Sequence, residues 1–194
     1  MPPLPTGSIT SLSTQNNRAN PRIYRQRVRE ICIFAMLGTL MFCSKLIMEA
    51  LPNIHLLGML IMTYTLAFRR KALIPIYIFV VLTGVYGGFA TWWVPYLYIW
   101  TVLWGMTMLL PRRIPNGAKM VLYPIICGLH GLLYGTLYAP AQALLFGLNF
   151  QQMLAWIVSG LPFDVLHAIG NVAAGLLILP FSRLLHRLMH QGIH

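Results

Sequence analysis

The basic residues of this chain are gathered into four short clusters that long apolar stretches separate. All of the Lys and Arg residues except Lys45 lie in these clusters. The clusters are Arg18 to Arg29, Arg69 to Lys71, Arg112 to Lys119, and Arg183 with Arg187. Basic residues beside membrane spans are retained in the cytoplasm, so an even number of crossings must join consecutive clusters. The charge pattern therefore predicts an integral membrane protein with two spans in each of three intervals.

Composition indicates the same class of protein. Of the 194 residues, 58% are hydrophobic and 9% are charged, and the mean hydropathy is +0.70. A soluble domain of this composition would lack the polar surface that it needs. We interpret the net charge of +11 as a topology signal, because the basic residues are divided among separate loops. We expect no nucleic-acid partner, and we expect anionic lipid headgroups to meet the basic loops.

The predicted fold is all-α: a bundle of six transmembrane helices with the N and C termini in the cytoplasm. The spans are expected at residues 31–48, at 53–68 after the Leu51-Pro52-Asn53 breaker, at 72–90, at 95–110, and twice between 119 and 183. The outer connection between the last two spans is expected around residues 138–152, where Pro140 and Asn149 mark it. The sixth span is expected to begin near Pro162 and to end at Pro180. Residues 151–159 are left open as an interfacial or kinked extension of it.

The expected organisation is one membrane domain, residues 29–182, between two basic cytoplasmic tails. Residues 1–28 are expected to form a disordered tail, because the first 20 residues are rich in Pro, Ser, Thr and Asn. Residues 183–194 form the other tail. No cleaved signal peptide is expected, since no small-residue cleavage site follows the first apolar run. The cysteines are Cys32, Cys43 and Cys127. They lack C-x-x-C spacing and lie in apolar runs, which predicts buried free thiols without a metal.

Small residues recur at four-residue spacing in three apolar stretches. The pairs are Ala35 with Thr39, Gly131 with Gly135, and Gly170 with Ala174. Small side chains allow two helix backbones to approach closely, so we expect these faces to pack against protein.

The rare polar residues are expected to converge in the outer part of the membrane. With a rise of 1.5 Å per residue, Lys45 lies roughly 24 Å beyond Arg29, and Asp164 lies the same distance before Pro180. Glu49 and His55 fall at the outer connection between the first two helices. These groups therefore share one level of the predicted bundle.

Two helix faces carry most of these groups. Asp164, His167 and Asn171 are spaced i, i+3 and i+7, so all three project from one face. Lys45 and Glu49 are spaced i and i+4. An ionisable residue inside a membrane is costly unless it is paired or hydrated, which makes these residues candidates for ligand binding. The alternative is a structural ion pair that joins Lys45 to Asp164 or to Glu49. For His130, the sequence favours an ordinary interhelical hydrogen bond.

Aromatic residues are concentrated beside this polar level, around Trp92 and Tyr96. Belts of Trp and Tyr are routine at membrane interfaces. Their concentration beside charged groups also suits a site that stacks a planar ligand. The candidate ligand-binding residues are Lys45, Glu49, His55, Trp92, Tyr96, Asp164, His167 and Asn171.

The sequence offers little support for an enzyme. It has no His-Glu-x-x-His and no Gly-x-Ser-x-Gly motif, and the residues before Ser159 lack the first glycine of a rhomboid-type serine motif. It has no phosphate-binding loop, so any pump activity requires a separate ATPase. We expect no catalytic residues, no cofactor and no metal. Two alternatives remain open: an intramembrane enzyme with Asp164 and His167 as a general acid/base pair, and a membrane assembly or scaffold protein.

Four stretches resemble an uncharacterised branch of a known family, the substrate-binding S components of energy-coupling factor (ECF) transporters. They are residues 51–56, residues 92–100, residues 135–140, and Pro162-Phe163-Asp164 followed by His167 and Gly170-Asn171. The similarity covers about residues 28 to 182. It implies a multi-pass protein of the prokaryotic plasma membrane that captures a scarce micronutrient, a vitamin or its precursor, from outside. It also implies a transmembrane coupling subunit and two cytoplasmic ATPases as partners.

The resemblance also implies two sites. In that family an Ala-x-x-x-Ala-like surface on the first helix contacts the coupling subunit, and here the matching stretch contains Ala35, Gly38 and Thr39. Thr39 departs from alanine but is also small. The family's pocket lies in the outer half of the membrane, between helices four to six, beneath the connection between the first two. The motifs that mark the thiamine, riboflavin and biotin branches are not recognised here, so the substrate stays open.

Overall fold

The computed structural model describes residues 21–50, 55–111 and 113–191, and every regular element in these ranges is helical. The described chain forms eight α-helices and two short 3₁₀ turns, Arg69–Ala72 and Thr91–Trp93. The helices are α1 (Pro21–Ile47), α2 (Leu57–Phe68), α3 (Leu73–Gly87), α4 (Tyr96–Met108), α5 (Asn116–Leu132), α6 (Tyr134–Phe146), α7 (Phe150–Gly175) and α8 (Ile178–Gln191). The all-α prediction is confirmed.

Within the described residues, three helical segments have the length and apolarity of membrane spans. They are Ile23–Ile47, Asn116–Phe146 and Phe150–Gly175, with 25, 31 and 26 residues. The helices α2, α3 and α4 are shorter, with 12, 15 and 13 residues. In α2, the nine residues from Leu57 to Thr65 are all buried. A helix that is apolar on all sides belongs in the centre of a bundle, and α2 forms that centre.

The bundle has two chemically distinct ends. The basic end carries Arg69, Lys119 and Arg183, which line one cleft. The aromatic end carries Trp92 and Trp156, which line one cavity. The α3–α4 connection lines the cavity at the aromatic end, whereas the α2–α3 and α4–α5 connections line the cleft at the basic end. The basic end therefore holds residues of the second and third basic clusters.

The connection before the last long helix is much shorter than expected. Only residues 147–149 interrupt the helical chain there, so the expected connection over residues 138–152 is wrong. Asn149 caps α7, because its side chain accepts a hydrogen bond from the Gln152 backbone N–H at 2.9 Å. Pro140 lies inside α6 and Pro162 lies inside α7. The expected start near Pro162 is therefore wrong as well, since a proline removes one backbone hydrogen bond without ending a well-packed helix.

Three further boundaries differ from the expectation. Residues 21–28 belong to α1 and not to a disordered tail, whereas residues 1–20 lie outside the described residues. The turn at residues 176–177 ends α7, and α8 then continues through Pro180 and Arg183 to Gln191, where a tail was expected. The Leu51-Pro52-Asn53 breaker also lies outside the described residues, and α2 begins at Leu57.

The cysteines are free thiols, as expected, but only Cys127 is buried. Cys32 and Cys43 are exposed on α1, so the expectation of burial is wrong for both. The reason is that α1 packs mainly against α3 and leaves its other side open. An apolar stretch in a membrane protein can face lipid as well as the core, and hydropathy does not distinguish the two.

Candidate functional site

The polar face of α7 is turned into the bundle. Asp164, His167 and Asn171 are 4%, 3% and 1% exposed, although most other α7 side chains are open to the surroundings. Two glycines face them from the α5–α6 segment. A Cβ atom at Gly135 would overlap the Asp164 carboxylate, and one at Gly131 would lie 2.8 Å from the Asn171 amide nitrogen. The prediction that this stripe and the Gly131–Gly135 face pack against protein is confirmed.

Backbone groups hold two of the three side chains. The break between α5 and α6 at Leu133 leaves the Gly135 N–H without its helical acceptor, and this N–H donates to Asp164 Oδ1 at 2.9 Å. The carboxylate therefore lies at the N-terminus of α6, where the helix dipole favours a negative charge. Two helix turns further along α7, Asn171 Nδ2 donates to the Cys127 carbonyl oxygen at 3.2 Å.

A layer of histidines and aromatic rings surrounds Trp100 next to this face. The His55 ring lies 4.5 Å from the His167 ring, and His167 lies 4.8 Å from Tyr134. Trp100 is in ring contact with His55, His130 and Tyr134. His130 Nε2 lies 3.1 Å from the Ile99 carbonyl oxygen, which confirms the expected interhelical hydrogen bond.

Several buried polar atoms in this layer have no hydrogen-bond partner among the described residues. They are His55 Nδ1, Trp100 Nε1, His130 Nδ1, Asp164 Oδ2, His167 Nε2 and Asn171 Oδ1. Buried polar atoms in proteins are nearly always hydrogen-bonded, because an unpaired one costs free energy. Their concentration in one layer is typical of a site that binds another molecule, since each can donate to or accept from a ligand or an ordered water.

A cavity of about 420 Å³ opens beside this layer at the aromatic end. It lies between α6, α7 and the α3–α4 connection, and Tyr138 links two of these elements by donating to the Trp92 carbonyl oxygen at 3.0 Å. Its lining residues are Thr91, Trp92, Tyr134, Gly135, Tyr138, Gln142, Phe146, Trp156, Gly160, Phe163, Asp164 and His167. We call it the aromatic cavity. Neither Lys nor Arg is among its described lining residues.

Only three predicted ligand-binding residues line the aromatic cavity: Trp92, Asp164 and His167. Three others lie one layer behind it. His55 contacts His167, Tyr96 contacts Trp92 at 5.7 Å between ring centroids, and Asn171 lies one helix turn deeper on α7.

The remaining two candidates, Lys45 and Glu49, are separate from the cavity. Lys45 is half-buried near the end of α1, and Glu49 is exposed beyond it. Neither forms the ion pair that was the alternative explanation for them. Among the described residues, the observed pair joins Glu30 to Lys71 at 2.9 Å, at the basic end of the bundle.

Sequence reasoning missed most of the aromatic wall. Trp156 stacks on Tyr138 at 5.7 Å with an angle of 16° between the rings, and Tyr134 lies beside His167. The helical spacing of these residues in the sequence would have predicted that those on each helix share one face. Along α6, Tyr134, Tyr138, Gln142 and Phe146 follow one another at four-residue intervals. Along α7, Trp156, Gly160, Asp164 and His167 also share one face.

No group of three His, Cys, Asp or Glu side chains in the described part of the chain is arranged to hold a metal ion. On α1, Ala35 and Thr39 are exposed, and the Thr39 hydroxyl donates to the Ala35 carbonyl oxygen at 2.9 Å. Gly38 is turned away from them: a Cβ atom there would meet Ile78 and Pro75 of α3. Of the predicted partner interface, Ala35 and Thr39 are therefore accessible, while Gly38 belongs to the α1–α3 contact.

Comparisons of the chain with protein-family models, with curated proteins and with solved structures found no match. The fold and the cavity define the class of protein: a helical bundle with helices of membrane-spanning character and an aromatic cavity at one end.

Proposed function

We propose that the protein is the substrate-binding S component of an ECF-type importer, which captures a small micronutrient and delivers it to a separate ATP-driven module. The observation that carries this proposal is the aromatic cavity, in which buried Asp164 and His167 lie among six aromatic rings. Its volume of about 420 Å³ falls within the range of roughly 300–1,000 Å³ that is typical of small-molecule sites. The mechanism is binding and reorientation, without catalysis or a cofactor.

The cavity also supports a chemical class of substrate. Six aromatic side chains favour a planar ring, because stacked or edge-on rings bury apolar area and interact favourably. Asp164 keeps one carboxylate oxygen without a protein partner, and the described lining has no cation to balance it. A ligand with N–H donors, neutral or cationic, satisfies that oxygen, whereas a carboxylate or phosphate ligand would be repelled. We therefore propose a nitrogen-containing ring compound.

The proposed topology has six crossings of a prokaryotic plasma membrane with both termini in the cytoplasm. It is supported by the basic residues at one end of the bundle, where the α2–α3 and α4–α5 connections lie. Single cysteines in a cysteine-free background test it by labelling of intact cells. A cysteine at Leu148 should react from outside, and one at Asn116 should react only after permeabilisation. Outside labelling of Asn116 alone would overturn the topology.

The substrate is tested by mass spectrometry of small molecules released from gently purified protein, followed by calorimetry with the recovered compound. A charge-assisted hydrogen bond contributes about 1.5–3 kcal/mol, so Asp164→Asn should weaken binding about 10- to 150-fold. Glu49→Gln is the matched control, because it removes the same charge from an exposed position outside the cavity. An unchanged dissociation constant in folded Asp164→Asn protein would remove Asp164 from the site. A compound recovered in chemically altered form would favour an intramembrane enzyme instead.

A further inference from the structure

A second cavity lies at the basic end, between α2, the α4–α5 connection, α5 and α8. Its volume is about 550 Å³. The lining residues are Leu66, Ala67, Arg69, Leu110, Pro111, Lys119, Tyr123, Leu179, Ser182, Arg183 and His186. We call it the basic cleft. Its walls combine aliphatic side chains with the long cationic side chains of three different segments.

No acidic side chain neutralises the cations of this cleft. The whole chain has three acidic residues. Glu30 pairs with Lys71, Asp164 accepts from Gly135 in the aromatic cavity, and Glu49 follows α1 and does not line the cleft. Arg69, Lys119 and Arg183 therefore converge without an acidic side chain among the described residues that line the cleft. Like charges brought together in this way repel one another, and an anion removes that repulsion.

Arg69 is held in an unusual conformation that points to a function. Its φ angle is 54°, and it is the described non-glycine residue with a positive φ. A non-glycine residue rarely adopts this conformation, and such residues are concentrated at functional sites. Three contacts fix it: its N–H donates to the Thr65 carbonyl oxygen, its Nη2 donates to the Met108 carbonyl oxygen, and its own carbonyl oxygen accepts from Trp104 Nε1. Its Nε is buried without a described partner, so one donor of the guanidinium stays available.

The surroundings of the cations identify the source of the anion. The cleft is also lined by three leucines that belong to the apolar core or pack against it: Leu66, Leu110 and Leu179. Lys119 is half-buried and Arg183 is exposed, so the cations form a rim between this apolar surface and the solvent. A soluble anion would use the rim alone, whereas a phospholipid places its phosphate at the rim and its first acyl carbons against the leucines. Basic clefts between helices at the cytoplasmic side are a known form of lipid headgroup site.

We propose that the basic cleft binds the phosphate group of an anionic phospholipid, with Arg69, Lys119 and Arg183 as its ligands. The cleft is separate from the aromatic cavity, so its occupant does not depend on which substrate the protein carries. The bound lipid fixes α8 against α2 and α5, because Arg183 lies on α8, Arg69 on the turn after α2, and Lys119 on α5.

Native mass spectrometry of the full chain, purified with equal amounts of phosphatidylglycerol and phosphatidylcholine, tests the site. Wild-type protein should retain phosphatidylglycerol in preference to phosphatidylcholine. Each basic residue near an anionic lipid contributes about fivefold in affinity, so the triple variant Arg69→Gln, Lys119→Gln, Arg183→Gln should lose roughly 100-fold. The matched control is Arg25→Gln, Arg70→Gln, Arg113→Gln. It removes the same charge from exposed positions outside the cleft and should keep the preference.

Equal phosphatidylglycerol retention in the wild type and the triple variant would overturn the proposal, as would an equal loss in the control. Inorganic phosphate separates the two sources of the anion. If phosphate raises the melting temperature of the wild type but not of the triple variant, and lipid retention shows no preference, the cleft binds soluble phosphate and the lipid assignment is wrong. Should the triple variant not fold, Arg183→Gln alone serves in its place, because this exposed residue forms no hydrogen bond or ion pair with the described residues, and about a fivefold loss is expected.

Discussion

The aromatic cavity and the basic cleft lie at opposite ends of the same bundle and hold charge in different ways. In the aromatic cavity the one carboxylate, Asp164, is buried and fixed by the Gly135 N–H. In the basic cleft three cations from separate segments line one site together. Two of them, Lys119 and Arg183, are half-buried and exposed, respectively. A single buried charge contributes to binding through one contact of fixed geometry. Several cations at a rim each contribute a part of the binding free energy, and these parts add up.

This difference predicts how each site responds to change. Damage to one contact of Asp164 should cost most of the affinity for a substrate, because no neighbouring group can replace it. Loss of one cation from the basic cleft should remove only the part of the lipid affinity that this cation contributes. The predictions that follow change the aromatic cavity, or the bundle around it, and ask whether the basic cleft is affected. They are arranged from the largest expected effect on substrate affinity to the smallest.

Gly135→Leu should have the largest effect. The new side chain would overlap the Asp164 carboxylate, displace it from the α6 N-terminus and force α6 and α7 apart. Overpacking of this kind costs about 1–3 kcal/mol of stability. We expect a lower melting temperature and a loss of substrate binding at least as large as in Asp164→Asn. Phosphatidylglycerol retention by the folded protein should persist.

The control for this change is Gly105→Leu, because a Cβ atom at Gly105 meets nothing within 4 Å. That variant should keep both the melting temperature and the substrate affinity of the wild type. If Gly135→Leu also kept the melting temperature and the substrate affinity of the wild type, the close contact between α6 and α7 would not be needed for substrate binding. If it abolished lipid retention as well, the two cavities would be coupled and the contrast between them would fail.

Trp156→Ala should have an intermediate effect. Trp156 stacks on Tyr138 and forms one wall of the aromatic cavity. An aromatic pair contributes about 0.5–1.5 kcal/mol beyond its buried area, so the substrate dissociation constant should rise about 2- to 13-fold. Calorimetry measures this, with Phe150→Ala as the control. Phe150 is on the same helix, is 68% exposed and does not line the cavity. Equal effects of the two substitutions would show that the wall does not contact the substrate.

Much of the fold was predictable, because the positions of the basic residues and the helical spacing of the polar residues can both be read from the sequence. The basic clusters along the chain predicted which connections lie at one end of the bundle, and Arg69, Lys119 and Arg183 do meet in one cleft. The i, i+3, i+7 spacing on α7 correctly predicted an inward polar face. The helix boundaries that were predicted from prolines were wrong. Pro140 and Pro162 were interpreted as breaks, yet both lie inside helices of membrane-spanning character, which tolerate proline.

The candidate site was predicted only in part, because depth along a helix does not determine direction around the bundle. Lys45 was placed at the level of Asp164, but α1 packs mainly against α3, and Lys45 does not line the aromatic cavity. The aromatic wall was missed for a related reason. Tyr134 and Tyr138 are spaced as one helix face, but Tyr138 fell in a stretch that was assigned to a connection.

The double variant Ala35→Trp, Thr39→Trp should have the smallest effect on either cavity and a large effect on transport. Both residues lie on the exposed face of α1, and neither lines the aromatic cavity or the basic cleft. If this face contacts a coupling subunit, two large side chains would prevent the close approach of the helix backbones. Substrate binding should therefore equal that of the wild type while cellular uptake is lost.

The matched control is Met36→Trp, which places an equally large side chain on α1 at a residue that is 71% exposed and outside the small-residue pair. It should reduce uptake far less than the double variant, because only the Ala35–Thr39 pair provides the small surface that close packing needs. Uptake at the wild-type level in the double variant would show that this face is not the docking surface. A loss of substrate affinity in the double variant would show instead that α1 and the aromatic cavity are coupled, since α1 reaches that end of the bundle through Phe42 and Tyr86.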